Sequence, residues 1–215
     1  GDSDPRLVVL FDPLERGKPA VAFEYKVKGR SVVMLLVLTY SQTLDSQEPA
    51  TGKKTRLEKV LDFACGSGRH TRWLASKGFR VEAVDRDAVA LELLAGVPHL
   101  ATREADLEEG PWLYADRHFD AIVVTNYLFR PRLSLLLTAL NHGGVLIYET
   151  FMVGNERFGK PSNPDFLLRS HELFERVADT CTVLAYEQGE VAEPKPAVIQ
   201  RICAVKGHNP SLRLP

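Results

Sequence analysis

With 215 residues, 45% of them hydrophobic and 26% charged, the chain has the composition of an ordinary globular protein, long enough to bury one substantial core. A formal net charge of −1 argues against a general nucleic-acid binder. The three scattered cysteines, Cys65, Cys181 and Cys203, lack metal-ligand spacing and suit a reducing compartment; with no secretory or membrane-spanning pattern, the expected location is cytoplasmic.

Residues 1–56 read as an N-terminal extension. Arg6–Phe11 and Ala20–Val27 have strand character, the second alternating Val21, Phe23, Tyr25 and Val27 on one face. Lys28-Gly29 turns the chain into Ser31–Tyr40, which predicts a hairpin. That run is the most apolar in the chain, yet at ten residues it is too short to span a bilayer. It reads as a buried element covering one side of the domain, with a partner contact as the alternative. Ser41–Arg56, with Pro49 and Gly52, reads as a flexible linker.

From residue 57 the pattern sharpens. Val60-Leu61-Asp62-Phe63-Ala64 is a short apolar run bounded by Gly66, and Gly68 follows one residue later. Arg69 to Lys77 has helical spacing, closed by Gly78, and a second apolar run from Val81 ends in Asp85. The order is strand, glycine turn, helix, strand, with an acid at the tip of the second strand. A strand turning sharply into a helix needs positive φ, and a ligand lying on that backbone needs a position without Cβ. Asp85, at the carboxyl end of its strand, is placed to accept hydrogen bonds from a ribose diol.

The run Leu61-Asp62-Phe63-Ala64-Cys65-Gly66-Ser67-Gly68, with Asp85 beyond it, resembles the first two motifs of the class I S-adenosylmethionine (SAM)-dependent methyltransferases. A dinucleotide fingerprint would need a third glycine where this chain has Thr71. The resemblance implies SAM as cofactor, with Asp62 near the methionine ammonium and Ala64, Cys65, Gly66, Gly68, Asp85 and Arg86 around the cofactor. The physical reading agrees, because acids near the turn suit a cationic aminoacyl nucleoside, whereas a dinucleotide brings phosphates.

Beyond Asp85, Asp87 is an N-cap for a helix running to about Ala95, ended by Gly96 and Pro98. Leu100–Ala105 is a third strand leading to Asp106-Leu107, which the resemblance places against adenine. His118–Thr125 is a buried fourth strand that delivers Asn126 and Tyr127 to the same edge. Leu133–Leu140 reads as a helix, Asn141–Gly144 as a turn and Val145–Glu149 as the fifth strand. A helix within Phe166–Asp179 has Ser170 as its expected cap, and Thr182–Gln188 and Val198–Val205 are the last two strands. The expected fold is α/β: a three-layer sandwich around a mostly parallel seven-stranded sheet, its last strand antiparallel, over residues 57–215.

The acceptor is harder to read. The fourth strand ends in Thr-Asn-Tyr-Leu-Phe, without the Asn/Asp-Pro-Pro-Tyr/Phe motif that holds exocyclic amines; no cysteine lies in a Pro-Cys context. No aromatic ladder stacks bases, and no metal-ligand spacing occurs. Tyr127, Tyr148 and Glu149 are candidates for orienting the acceptor or taking its proton. Arg130, Arg132, Arg157 and Lys160 lie on two loops at one edge, which suggests a small anionic acceptor held chiefly by Arg130, Arg157 and Lys160. The compact core and the Gly-Arg-His sequence resemble the small tellurite-resistance-like methyltransferases. Two alternatives stand beside this reading: an RNA-modifying methyltransferase, and a non-catalytic SAM-fold subunit docking through Ser31–Tyr40. The sequence leaves the oligomeric state open.

Overall fold

The computed structural model describes the backbone of residues 6–11, 19–27 and 30–37, and residues 59–192 and 195–207 in full. Strands β1 (Arg6–Phe11), β2 (Pro19–Val27) and β3 (Arg30–Val37) form an antiparallel sheet in that order. β2 and β3 pair antiparallel with Val27 opposite Arg30, and the expected Lys28-Gly29 turn lies outside the described residues. The expected linker, and the side chains of the Ser31–Tyr40 run, lie outside the described residues.

A second sheet contains β4 (Lys59–Phe63), β5 (Arg80–Asp85), β6 (Leu100–Glu104), β7 (Phe119–Thr125), β8 (Leu140–Phe151), β9 (Cys181–Val191) and β10 (Ala197–Lys206). Its order is β6-β5-β4-β7-β8-β10-β9. The pairs from β6 to β8 are parallel, and β10 runs antiparallel to both β8 and β9.

Helices cover both faces. α1 (Arg69–Ser76) brings Leu74 and Ala75 onto Val60, Val81 and Val123, while α2 (Ala88–Glu92) packs Leu91 beside Ala83. On the other face, α3 (Leu133–Thr138) and α4 (Glu172–Val177) add Leu136, Leu173 and Val177 to Leu61, Ile122 and Leu146. Burial on both faces explains why β4 and β7 read as continuous apolar runs rather than as alternating ones. Among the described residues, no helix is long and apolar enough to cross a membrane.

Three local readings are corrected. β8 begins at Leu140, so the Asn141–Gly144 stretch is an irregular part of the strand rather than a turn before it. A Cβ on Gly144 would lie 2.8 Å from the Asn141 carbonyl oxygen, which shows how closely the backbone folds there. α2 stops at Glu92, although Asp87 does cap it by accepting from the Ala90 N–H. α4 is not capped by Ser170, whose hydroxyl contacts Gln188; the Leu173 N–H donates instead to Gln200 on β10.

Candidate active site

Between β4 and β7 the chain order of the sheet reverses direction, and at such a switch point the loops after adjacent strands diverge to leave a crevice. β4 ends there in the glycine turn. Ala64, with φ of 60°, and Gly66, with φ of 53°, bend the chain away from the sheet. A Cβ built on Gly66 meets nothing within 4 Å, so that side of the turn faces open space. Gly68 has a different task. Its Cβ would lie 2.4 Å from Leu94, so this glycine, at φ of 75°, lets the start of α1 approach the end of α2. At the end of β7, Asn126 also holds a left-handed backbone, φ of 55°, with its N–H donating to the Glu149 carbonyl. Two non-glycine residues are thus held in this costly region on neighbouring strand ends.

Asp62 and Asp85 flank the turn. Asp85 accepts from the Gly66 N–H at 2.8 Å through one oxygen and from the Asp87 N–H at 3.0 Å through the other. Each oxygen keeps a second lone pair for a ligand hydroxyl. Asp62 is 1% exposed and takes hydrogen bonds from the hydroxyl and backbone N–H of Thr71 in the first turn of α1. Burial outweighs those bonds and raises its carboxyl to about 6. Burial likewise pushes the Cys65 thiol to about 12, so the cysteine is an inert packing group. His70 is half-buried; burial and Arg69 lower it to about 4 and keep the ring neutral.

On the next loop, Asp106 caps its own turn by accepting from the Glu108 and Glu109 N–H groups, which lowers its pKa. Arg86 and Arg132 lie close enough to lower it further. Leu107 is buried, and its carbonyl accepts from the Tyr127 hydroxyl at 3.3 Å. The cofactor candidates on β4, β5, β6 and β7 thus share one edge of the sheet.

The acceptor candidates divide. Tyr148 is 1% exposed, its hydroxyl donates to the Tyr127 carbonyl, and burial raises its pKa; it is a core residue, not a base. Burial raises Tyr127 too. Arg130 is committed within the fold. It pairs with buried Glu172 at 2.7 Å and donates to the Asp165 and Leu167 carbonyls, so it does not join an anion site. Arg132 is buried, and Arg157 pairs with Glu190 at 2.6 Å. Lys160 is exposed on the loop after β8. The four loop cations therefore do not converge: Arg130, Arg132 and Arg157 each hold a protein group, the last on the exposed loop that also carries Lys160.

Glu149 stands differently. It sits two residues past Ile147, whose cross-strand neighbour Val123 pairs with Asp62, so Glu149 shares the sheet face of Asp62. Its register partner on β10 is Arg201, whose partner on β9 is Glu187. Arg201 approaches Glu149 to 3.6 Å and binds Glu187 more closely. Burial raises the Glu149 pKa, partly offset by Arg201 and Arg69. Sequence reasoning missed Thr71, Arg201 and Glu172. Gln200-Arg201 was the available signal, as two polar residues interrupting the apolar run of the last strand.

Residues 60–144 match the family model described as a methyltransferase domain. A search among curated proteins finds no match. Among solved structures, the chain resembles TehB from Haemophilus influenzae at 22% identity and a TM-score of 0.58, over 71% of this chain and 58% of that one. A putative S-adenosylmethionine-dependent methyltransferase from Listeria monocytogenes aligns at 13% identity and 0.56, covering 70% and 92% of the two chains. A TehB-like SAM-dependent methyltransferase from Corynebacterium glutamicum aligns at 20% identity and 0.52, covering 70% and 81%. The chain therefore spans little more than half the length of the Haemophilus protein, and identities this low establish architecture rather than substrate. Strand order, glycine turn and these likenesses together assign the chain to the class I SAM-dependent methyltransferase fold.

Proposed function

We propose that the protein transfers the methyl group of SAM to a small acceptor bound beneath the loop after β8. The observation that carries this reading is the open cradle at Gly66, flanked by the two carboxylates of Asp62 and Asp85. Such a donor set fits a ligand with a ribose diol and a cationic amino-acid end, and it repels phosphates. Asp85 would hold the ribose hydroxyls, Asp62 the ammonium, and Asp106-Leu107 the purine, with Arg86 and Asn126 bordering the cleft. SAM, when bound, supplies an electrophilic methyl on a sulfonium, itself a good leaving group.

The protein's own part is then to align and to deprotonate. Glu149, half-buried and raised in pKa near the end of β8, would take the proton of a hydroxyl, thiol or amine nucleophile as it is methylated. Arg201 beside it keeps the carboxylate oriented and tempers the effect of burial. With Arg130 committed to Glu172, Arg157 and Lys160 are the cations left to hold an anionic group on the acceptor, and Arg157 would exchange Glu190 for it. An RNA-modifying role is less well supported, because Arg130 and Arg132, which would grip phosphate, donate to protein carbonyls. A labelled-methyl screen of small molecules and total RNA tests the reading. Incorporation into a small molecule by the wild type and not by Asp85→Asn supports it; label in RNA alone contradicts the acceptor assignment.

A further inference from the structure

Residues 105–118, between β6 and β7, contain no helix or strand, yet they carry Asp106-Leu107, the wall assigned to the purine. Side chains from outside the loop hold it in place. Phe63, the fully buried last residue of β4, touches Trp112 at 5.9 Å and Tyr127 at 5.6 Å between ring centroids. Trp112 continues onto Tyr114, and Tyr114 onto Phe119. This aromatic chain ties the loop to the strand that ends in the glycine turn.

Two polar contacts complete the hold, and both come from the segment after β7. The Tyr127 hydroxyl donates to the Leu107 carbonyl at 3.3 Å. Arg132 Nη2 donates to the carbonyls of Glu109 at 2.8 Å and Gly110 at 2.9 Å, with its guanidinium 5.7 Å from the centre of the Trp112 ring. Arg132 is 6% exposed, and among the described residues its Nη1 has no hydrogen-bond partner. A buried guanidinium with an unmet donor fills a gap at greater cost than an apolar side chain of similar length. Its presence is explained by what Nη2 does, which is to fix two successive carbonyls just beyond Leu107. A lysine, with a point charge in place of a planar fork, does not reproduce that grip.

We propose that Arg132, assisted by Tyr127, is a positioning residue that presets the 105–118 loop as the purine wall and so determines affinity for the adenosine half of the cofactor. The proposal rests on the SAM reading above. The test is calorimetry, by competition where needed, with S-adenosylhomocysteine and with adenosine, on wild type, Arg132→Met, Arg132→Lys and Tyr127→Phe, beside thermal melts. Arg132→Met is expected to melt within a few degrees of wild type and to bind both ligands about tenfold more weakly, Arg132→Lys falling between. Equal loss for both ligands is the signature of the purine end. Unchanged affinity in Arg132→Met, or a loss confined to S-adenosylhomocysteine, overturns the clamp and leaves the cofactor assignment standing. Failure of the wild type to bind either ligand overturns both. If Arg132→Met does not fold, Tyr127→Phe decides: adenosine affinity reduced several-fold supports the clamp, and unchanged affinity overturns it.

Discussion

Asp62 is where pH acts on this site. Its carboxyl is raised to about 6 in the fold against an ordinary 3.8, so the folded chain binds a proton between those values that the unfolded chain has lost. The sign follows: stability from this group declines as pH rises from about 4 to 6, and the full cost of the buried charge is present above that window. A ligand ammonium favours the ionised form. SAM affinity is therefore expected to rise by up to about tenfold between pH 5 and pH 7, with a proton released near pH 6, detectable by calorimetry in buffers of different ionisation heats. Asp62→Asn should abolish that dependence. Gly68→Ala is predicted to cost about 1–3 kcal/mol in urea unfolding, because its Cβ meets Leu94 at a positive φ. At this scale the sequence was informative about backbone and less so about side-chain duty. It showed that Gly66 and Gly68 were needed, yet not that Gly66 faces the cleft while Gly68 faces Leu94. Tyr148 looked available at a strand tip because period-two alternation cannot say which sheet face a helix later covers.

Among the elements, α4 shows how distant residues finish what local sequence leaves open. Ser170 looked like its cap, but Gln200 on β10 accepts from Leu173, and the Arg169 N–H donates to Glu172. Glu172 gathers Arg130, Arg169 and Arg176 around one carboxylate that is 1% exposed. Burial alone would raise its pKa; the Arg130 hydrogen bonds and the Arg169 N–H overcome that and hold it near 2. Its contribution to stability is thus complete above about 4.5 and is lost as pH falls toward 2. Glu172→Ala leaves Arg130 without its partner and is predicted to cost about 2–4 kcal/mol, flattening the acid limb of the stability profile. Because Arg130 also fastens the 165–167 backbone, that variant should loosen the loop after β8 to proteolysis. The same network explains why Arg130 was misread. The sequence places it on the loop after β7, but its partner lies 42 residues away, beyond the reach of motif spacing.

For the whole molecule, the sheet was legible because strands buried on both faces leave long apolar runs, punctuated by Gly66, Gly78 and Gly96 at positive φ. The acceptor was not legible, since the methyl transfer proposed for this site demands alignment rather than a fixed set of catalytic residues. A ligand bound only by the folded state raises the melting temperature, so saturating SAM should stabilise the domain by about 2–3 kcal/mol at a hundredfold excess over Kd. The most direct test of the account is titration calorimetry of S-adenosylhomocysteine into the wild type and into Asp85→Asn. One site per chain is expected in the wild type, with affinity at least tenfold weaker in Asp85→Asn, whose amide cannot accept from both the Gly66 N–H and a ribose diol as a carboxylate does. No binding by the folded wild type, or equal binding by the two proteins, would contradict it.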